Sequence, residues 1–281
     1  MKSIILVIKG FFMGLANLIP GVSGGTMAIT LGIYDKLISA ISHLFSNLKE
    51  NIKFILPIVI GIAISIVTLS NVISYTLDNY LFATILFFIG AIVGGIPMLY
   101  KKVKGKKRDI ASYVIFILTF VFVILLTYLV SGNDVSLESL NLFDYIKLFF
   151  IGIITSATMV IPGISGSAVL MTLGYYEPII NTIKDLTKFN NIGHNIGILI
   201  PFGIGVVIGI LLIAKLIEYL LNKYETKTYY AILGFVTSSI VSIIIQNFFM
   251  GGNFSFSVVE IIVGIILFIF GALVAYKLGD K

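Results

Sequence analysis

Ile19-Pro20-Gly21-Val22-Ser23-Gly24-Gly25 and Ile161-Pro162-Gly163-Ile164-Ser165-Gly166-Ser167 are two copies of one short string, each set in the middle of an apolar stretch. A Pro-Gly pair stops a helix, because proline lacks an N–H donor and glycine accepts turn conformations. The apolar residues resume on both sides of each break, over about 4–46 and about 145–184, and so does the copying. At an offset of 142 residues Gly10, Thr30, Leu31, Gly32 and Tyr34 meet Gly152, Thr172, Leu173, Gly174 and Tyr176, and Asp35 meets Glu177. At an offset of 144, Pro57, Gly61, Tyr75, Tyr80 and Gly90 meet Pro201, Gly205, Tyr219, Tyr224 and Gly234. The chain therefore reads as two homologous halves, 1–140 and 145–281.

Of its 281 residues 58% are hydrophobic and 11% charged, against about 45–50% and about 25% in water-soluble domains. A soluble globular fold is excluded, and an all-α polytopic membrane protein is expected. Runs of the roughly 20 residues needed to span a bilayer fall at about 54–75, 82–100 and 111–131, then at 195–221, 229–250 and 257–277. Each half is thus a broken hairpin followed by three transmembrane helices. A hairpin crosses zero or two times, so three further spans give each half an odd number of crossings. Equivalent segments must then point in opposite directions, which makes the halves two inverted-topology repeats, as in secondary transporters. Residues 4–18 would form a helix of roughly 22 Å at 1.5 Å per residue, short of the hydrocarbon core. This favours re-entrant hairpins with tips near the midplane. The second arm, about 24–45, is long enough to span, so two tilted crossings also stay open.

Charge supplies an orientation. If both termini are cytoplasmic, the inner segments hold all of the 19 cations except Lys147, Lys184 and Lys188, as the positive-inside rule requires. The outer loops carry Asp78, Asp134 and Glu138. The net charge of +6 is then mostly a topology signal, and the run from Lys101 to Arg108 suits anionic lipid headgroups.

Irregular backbone at membrane depth is tolerated only where it is buried in protein or lines a wet cavity. Beyond each Pro-Gly turn, Ser23 and Ser165 read as N-caps of a second arm. Glycine in the first turn lets an oxyanion approach the backbone N–H groups. Two such tips entering from opposite faces predict an anion held inside the membrane, and a phosphate fits best. Close packing of small residues is the plainer account of a single break; two matched breaks favour a site.

Gly14-Leu15-Ala16-Asn17-Leu18-Ile19-Pro20-Gly21-Val22-Ser23-Gly24-Gly25-Thr26-Met27-Ala28, with Ala157-Thr158-Met159-Val160-Ile161-Pro162-Gly163-Ile164-Ser165-Gly166-Ser167 in the second half, resembles the signature of a bacterial family once of unknown function. Its members are assigned as undecaprenyl phosphate translocases. The resemblance covers essentially the whole chain and implies a flippase in the bacterial plasma membrane. Such a protein returns the carrier lipid from the outer to the inner leaflet for peptidoglycan and other envelope synthesis. The expected mechanism is alternating access, with the phosphate between the tips. The implied substrate-binding residues are Asn17, Pro20, Gly21, Ser23, Gly24, Gly25, Thr26, Pro162, Gly163, Ser165, Gly166 and Ser167. Thr158-Met159 replaces Ala16-Asn17, so Asn17 has no counterpart in the second half.

Charged residues near the hairpins are secondary candidates. Lys9 and Lys147 in the first arms could neutralise phosphate, although snorkelling to the interface is the preferred reading. Asp35 and Glu177 could bind a coupling proton or sodium ion, or mark the solvated end of the second arm, which is favoured. Glu260 near the start of the last span is a candidate because intramembrane acids are costly. Lys215 and Glu218 should pair on one helix. Gly90 to Gly95 offers a weak packing face, and the oligomeric state stays open.

Enzymatic readings fare worse. There is no cysteine, hence no thiolate chemistry. Gly21-x-Ser23-Gly24 and Gly163-x-Ser165-Gly166 match the short Gly-x-Ser-Gly string of rhomboid proteases. A serine nucleophile, however, needs a base within reach, and only His43 and His194 exist, both near segment ends. One arginine and two scattered histidines do not make a lipid phosphatase. No cofactor, metal cluster or nucleotide fingerprint is expected, nor is nucleic acid a partner. Transport of another small anion is the alternative to lipid transport.

Overall fold

Local signals start the helices where the apolar runs begin. Asp109 caps Ser112 N–H, while Asn141 with Asp144 and Ser257 with Glu260 form reciprocal capping boxes that satisfy the otherwise unpaired first-turn donors. The computed structural model describes residues 2–19, 22–106, 109–129, 134–137, 140–250 and 257–280. Pro20, Gly21, Lys107, Arg108, Glu138 and Lys281 lie outside the described residues, as does the side chain of Lys2.

The described residues are all-helical. The first half contains α1 (Lys2–Asn17), α2 (Gly24–Thr30), α3 (Tyr34–Ser42), α4 (Leu48–Asn79), α5 (Leu81–Val103) and α6 (Ile110–Tyr128). The second contains α7 (Leu142–Val160), α8 (Gly166–Thr172), α9 (Tyr176–Thr187), α10 (Ile192–Lys223), α11 (Glu225–Ile244), a π-helical turn over Ile245–Phe249, and α12 (Val258–Gly279). Seven of these are long and apolar enough to cross a bilayer: α4, α5, α6, α7, α10, α11 with its π turn, and α12. The chain is a polytopic membrane protein. Helix α7, the first arm of the second hairpin, joins the six spans read from sequence, because it begins at Leu142 and reaches about 28 Å at 1.5 Å per residue. Helix α1 is shorter, at about 24 Å.

The second arms differ from the continuous spanning helix that their length allowed. Each is two short helices. At the end of α2, Gly32 takes φ +70°, Gly32 N–H donates to Ile29 carbonyl and Ile33 N–H to Ala28 carbonyl, which is the Schellman arrangement that terminates a helix. Gly174, with φ +75°, repeats it through Met171 and Leu170. The copied Thr-Leu-Gly-x-Tyr strings are therefore helix stops.

Helices pair across small residues. Helix α1 lies on α4 and α7 on α10, while α5 packs on α12 and α11 on α6, so each half lends its last helix to the other. A Cβ on Gly10 would strike the carbonyl of Ile58, and one on Gly61 that of Val7. The matching glycines of the second half, Gly152 and Gly205, meet the carbonyls of Phe202 and Phe149. Met27, Ile85, Phe88, Ile92 and Ile243 centre the core, and large apolar residues such as Val67, Leu118 and Val258 face outward, as suits a protein whose solvent is lipid.

Gly205→Val should lower the thermal unfolding temperature in detergent by several degrees, since overpacking costs about 1–3 kcal/mol. Gly193→Ala, where nothing lies within 4 Å of the added carbon, should leave it unchanged or slightly raised.

Candidate functional site

Both tips are built from capped helix starts. Ser23 is the N-cap of α2, its Oγ accepting from Gly25 N–H at 3.2 Å. Ser165 is the N-cap of α8; its Oγ accepts from Ala168 N–H at 3.4 Å and lies 2.8 Å from Ser167 Oγ. Asn17, at the end of α1, reaches over to accept Gly24 N–H on Oδ1 at 2.9 Å. The Gly24 and Gly25 donors that sequence assigned to an anion are thus held here by the protein's own side chains. An anion would reach them by displacing Asn17 Oδ1 and Ser23 Oγ.

The two tips touch. Gly163 N–H donates to Thr26 Oγ1 at 2.7 Å, a buried contact between residues of the two strings. Tyr34 hydroxyl donates to the carbonyl of Val160 at 3.2 Å. Gly163 itself has φ +80° and sits with no room for a side chain against the carbonyl of Phe235. Between the tips lies a cavity of about 310 Å³ whose polar lining is Asn17, Ser23, Tyr34, Ser165 and Ser167, beside the backbone of Gly24, Gly25 and Gly166. Among the described residues no charged one lines it. The rim is unequal. Asn17 covers Gly24, and Met159, which is Asn17's equivalent at the 142-residue offset, covers Gly166. Thr155, wholly buried behind the second tip, has no partner for its hydroxyl among the described residues, and no sequence signal singles it out.

Pro162 and Gly163 form the second turn, whereas Pro20 and Gly21 of the first lie outside the described residues. The charged candidates are elsewhere. Lys9 does not snorkel: it is buried, and its Nζ donates to the Leu31 carbonyl at 2.7 Å, a group freed where Gly32 stops α2. Lys147 pairs with Asp144 at 3.2 Å and lies over the Phe143 ring, roughly 20 Å along α7 from the tip at 1.5 Å per residue. Asp35 Oδ2 receives both Lys102 Nζ and Tyr229 hydroxyl, each at 2.7 Å. Its counterpart Glu177 is exposed, in a polar cavity with Asp134, Asp185 and His194. Glu260 closes the α12 capping box onto Ser257 N–H and Oγ. Glu218 pairs with His43 Nδ1 at 3.3 Å rather than with Lys215, because α3 packs against α10. His194 bonds the Leu137 carbonyl. Neither histidine is placed to activate Ser23 or Ser165. No group of three or more His, Asp or Glu that could hold a metal occurs among the described residues.

The sequence model of the VCA0040-like, undecaprenyl phosphate translocase-like family matches residues 13–250, a span containing both tips. The chain belongs to this family. A polyprenyl-phosphate transporter of Staphylococcus aureus is 35% identical over 97% of this chain and 95% of its own length. One of Vibrio cholerae is 29% identical over 84% and 76%. An undecaprenyl-diphosphatase of Clostridium tetani is 27% identical over 101 residues, 36% of each chain. No solved structure matches the chain significantly.

Thr26→Val removes the acceptor for Gly163 N–H. It should destabilise the protein by about 1–3 kcal/mol, the cost of an unsatisfied buried donor, whereas Thr26→Ser should retain most of the stability. Thermal unfolding of the two variants in the same detergent measures the difference.

Proposed function

We propose that the chain carries a polyprenyl phosphate, undecaprenyl phosphate in the first instance, from the outer to the inner leaflet of the bacterial plasma membrane. The observation that carries this reading is the meeting of two copied tips around one uncharged, donor-bearing cavity, in a chain whose relatives are named polyprenyl-phosphate transporters. A phosphomonoester head carries about −1.5 to −2 charges near neutrality. Taking such a charge into hydrocarbon without partners costs tens of kcal/mol on an idealised Born estimate. Hydroxyls of Ser23, Ser165 and Ser167 and the amide of Asn17 can stand in for water around the head while the chain stays in lipid.

A cavity without a fixed cation suits transport. Neutral donors bind an anion well enough to admit it and weakly enough to release it, the condition that any conducting site must meet. In the proposed mechanism the halves act as inverted repeats that rock about the tips. Because α6 packs on α11 and α12 on α5, the bodies that would rock are α1–α5 with α12 and α7–α11 with α6. The Thr26–Gly163 and Tyr34–Val160 hydrogen bonds are contacts that such rocking would make and break. The proposed topology has both termini cytoplasmic, and a proton or sodium ion could couple to the cycle. No covalent step is involved, and the released carrier returns to envelope polymer synthesis.

Leaflet-resolved transport of a labelled polyprenyl phosphate in proteoliposomes tests the reading, with inorganic phosphate as competitor. Asn17→Asp keeps an acceptor for Gly24 N–H, since aspartate and asparagine cap equally well, but places a carboxylate on the cavity. It should fold normally and lose at least about tenfold in transport, the effect of ~1.4 kcal/mol of repulsion. Wild-type activity in that variant, or movement of inorganic phosphate without the lipid, would overturn the proposal.

A further inference from the structure

The two hairpins are copies in sequence but are packed differently. In α2 every residue from Gly25 to Thr30 is buried, whereas in α8 only Gly166 and Leu170 are. The reason lies on the neighbouring helix. Thr30 rests directly on Gly95 of α5, and the Met98 thioether lies against the backbone of Gly32 and Gly279, filling the space between α2, α5 and α12. At the 144-residue offset the second half has Ser239 for Gly95 and Ser242 for Met98. A hydroxymethyl group replaces a long thioether, and Ser242 Oγ shares a hydrogen bond of 2.7 Å with Thr127 Oγ1, both residues lining the space that is left. What remains is an apolar slot of about 170 Å³ between α8, α6 and α11, walled by Val123, Leu126, Ala168, Val169 and Leu173. Gln246, in the π-helical turn, closes one edge.

This slot adjoins the tip cavity, since Ile164 and Ser165 line both. The two spaces thus share a wall.

We infer that the slot between α8 and the α6–α11 pair receives the phosphate-proximal isoprenoid units of the polyprenyl phosphate, while its head occupies the tip cavity. The inference rests on the proposed function and adds the subsite that reads the chain. Neutral donors in the tip cavity would accept any phosphomonoester; the slot supplies the preference for one carrying an unsaturated, branched hydrocarbon. In the first half Met98 takes the corresponding place against Gly32 and Gly279, so the inference puts the hydrocarbon chain on the second hairpin's side.

The test uses the full-length protein in proteoliposomes. Ser242→Met rebuilds the plug of the first half. By excluding about two methylene-sized groups from contact, at ~0.8 kcal/mol each, it should raise the Kd for a fluorescent polyprenyl phosphate roughly tenfold. Competition by inorganic phosphate should be unchanged. A folded Ser242→Met protein with wild-type affinity, or one whose competition by inorganic phosphate weakens equally, overturns the inference. Because the chain has no cysteine, Val169→Cys gives a second readout that does not depend on filling the slot. Polyprenyl phosphate should protect this thiol from a maleimide, and equal protection by phosphatidylglycerol would mean a crevice open to any lipid, which also overturns it. Should the wild-type protein bind no polyprenyl phosphate at all, the proposed function itself fails, an outcome distinct from a slot that does not discriminate.

Discussion

Everything in this fold follows from the need to satisfy backbone polar groups where two helices are broken among apolar residues. With no water in the hydrocarbon core, each unpaired N–H or carbonyl costs several kcal/mol. The chain answers locally, one group at a time. Asn17 and Ser23 take the Gly24 and Gly25 donors, Thr26 takes that of Gly163, and Lys9 takes the Leu31 carbonyl. Two of these residues, Asn17 and Ser23, also line the cavity between the tips. At these two residues the contacts that stabilise the break also face the cavity, and an anion bound there as proposed would have to compete for donors that already have acceptors.

Small residues set the frame around that constraint. Helix pairs approach until glycine backbones meet carbonyls, at Gly10, Gly61, Gly152 and Gly205, because between helices in lipid it is van der Waals closeness and not water exclusion that binds. Close pairs of α1 with α4 and of α7 with α10 then present the two tips to each other. The exchange of α6 and α12 between the halves means that neither hairpin is supported by its own half alone.

Much of this is legible in the sequence because it is written twice. The Pro-Gly-x-Ser-Gly strings mark the breaks and the serine caps, and the polytopic all-helical class follows from composition and run length. Family membership is legible too, since the motif is long and its spacing is kept. The split of each second arm is not legible from Gly32 and Gly174, because a glycine after an apolar run does not say whether the helix resumes in line or turns. Contacts between distant segments left no local trace. The Thr26–Gly163 and Tyr34–Val160 bonds join residues more than a hundred positions apart, and Glu218 chose His43 over its helical neighbour Lys215 because α3 lies on α10. Lys9 departs from the expected snorkelling for a related reason, since the stop at Gly32 provides a buried carbonyl that holds it.

Asn17 and Met159 occupy equivalent places on the rim, one an amide and the other a thioether. Any second arrangement of the protein obtained by exchanging the roles of the halves would set a thioether where an amide now caps a glycine. Two such arrangements have unequal energies even in an empty protein. If the proposed cycle runs between two such arrangements, this pair of residues tilts its resting equilibrium toward one side without any gradient to impose it.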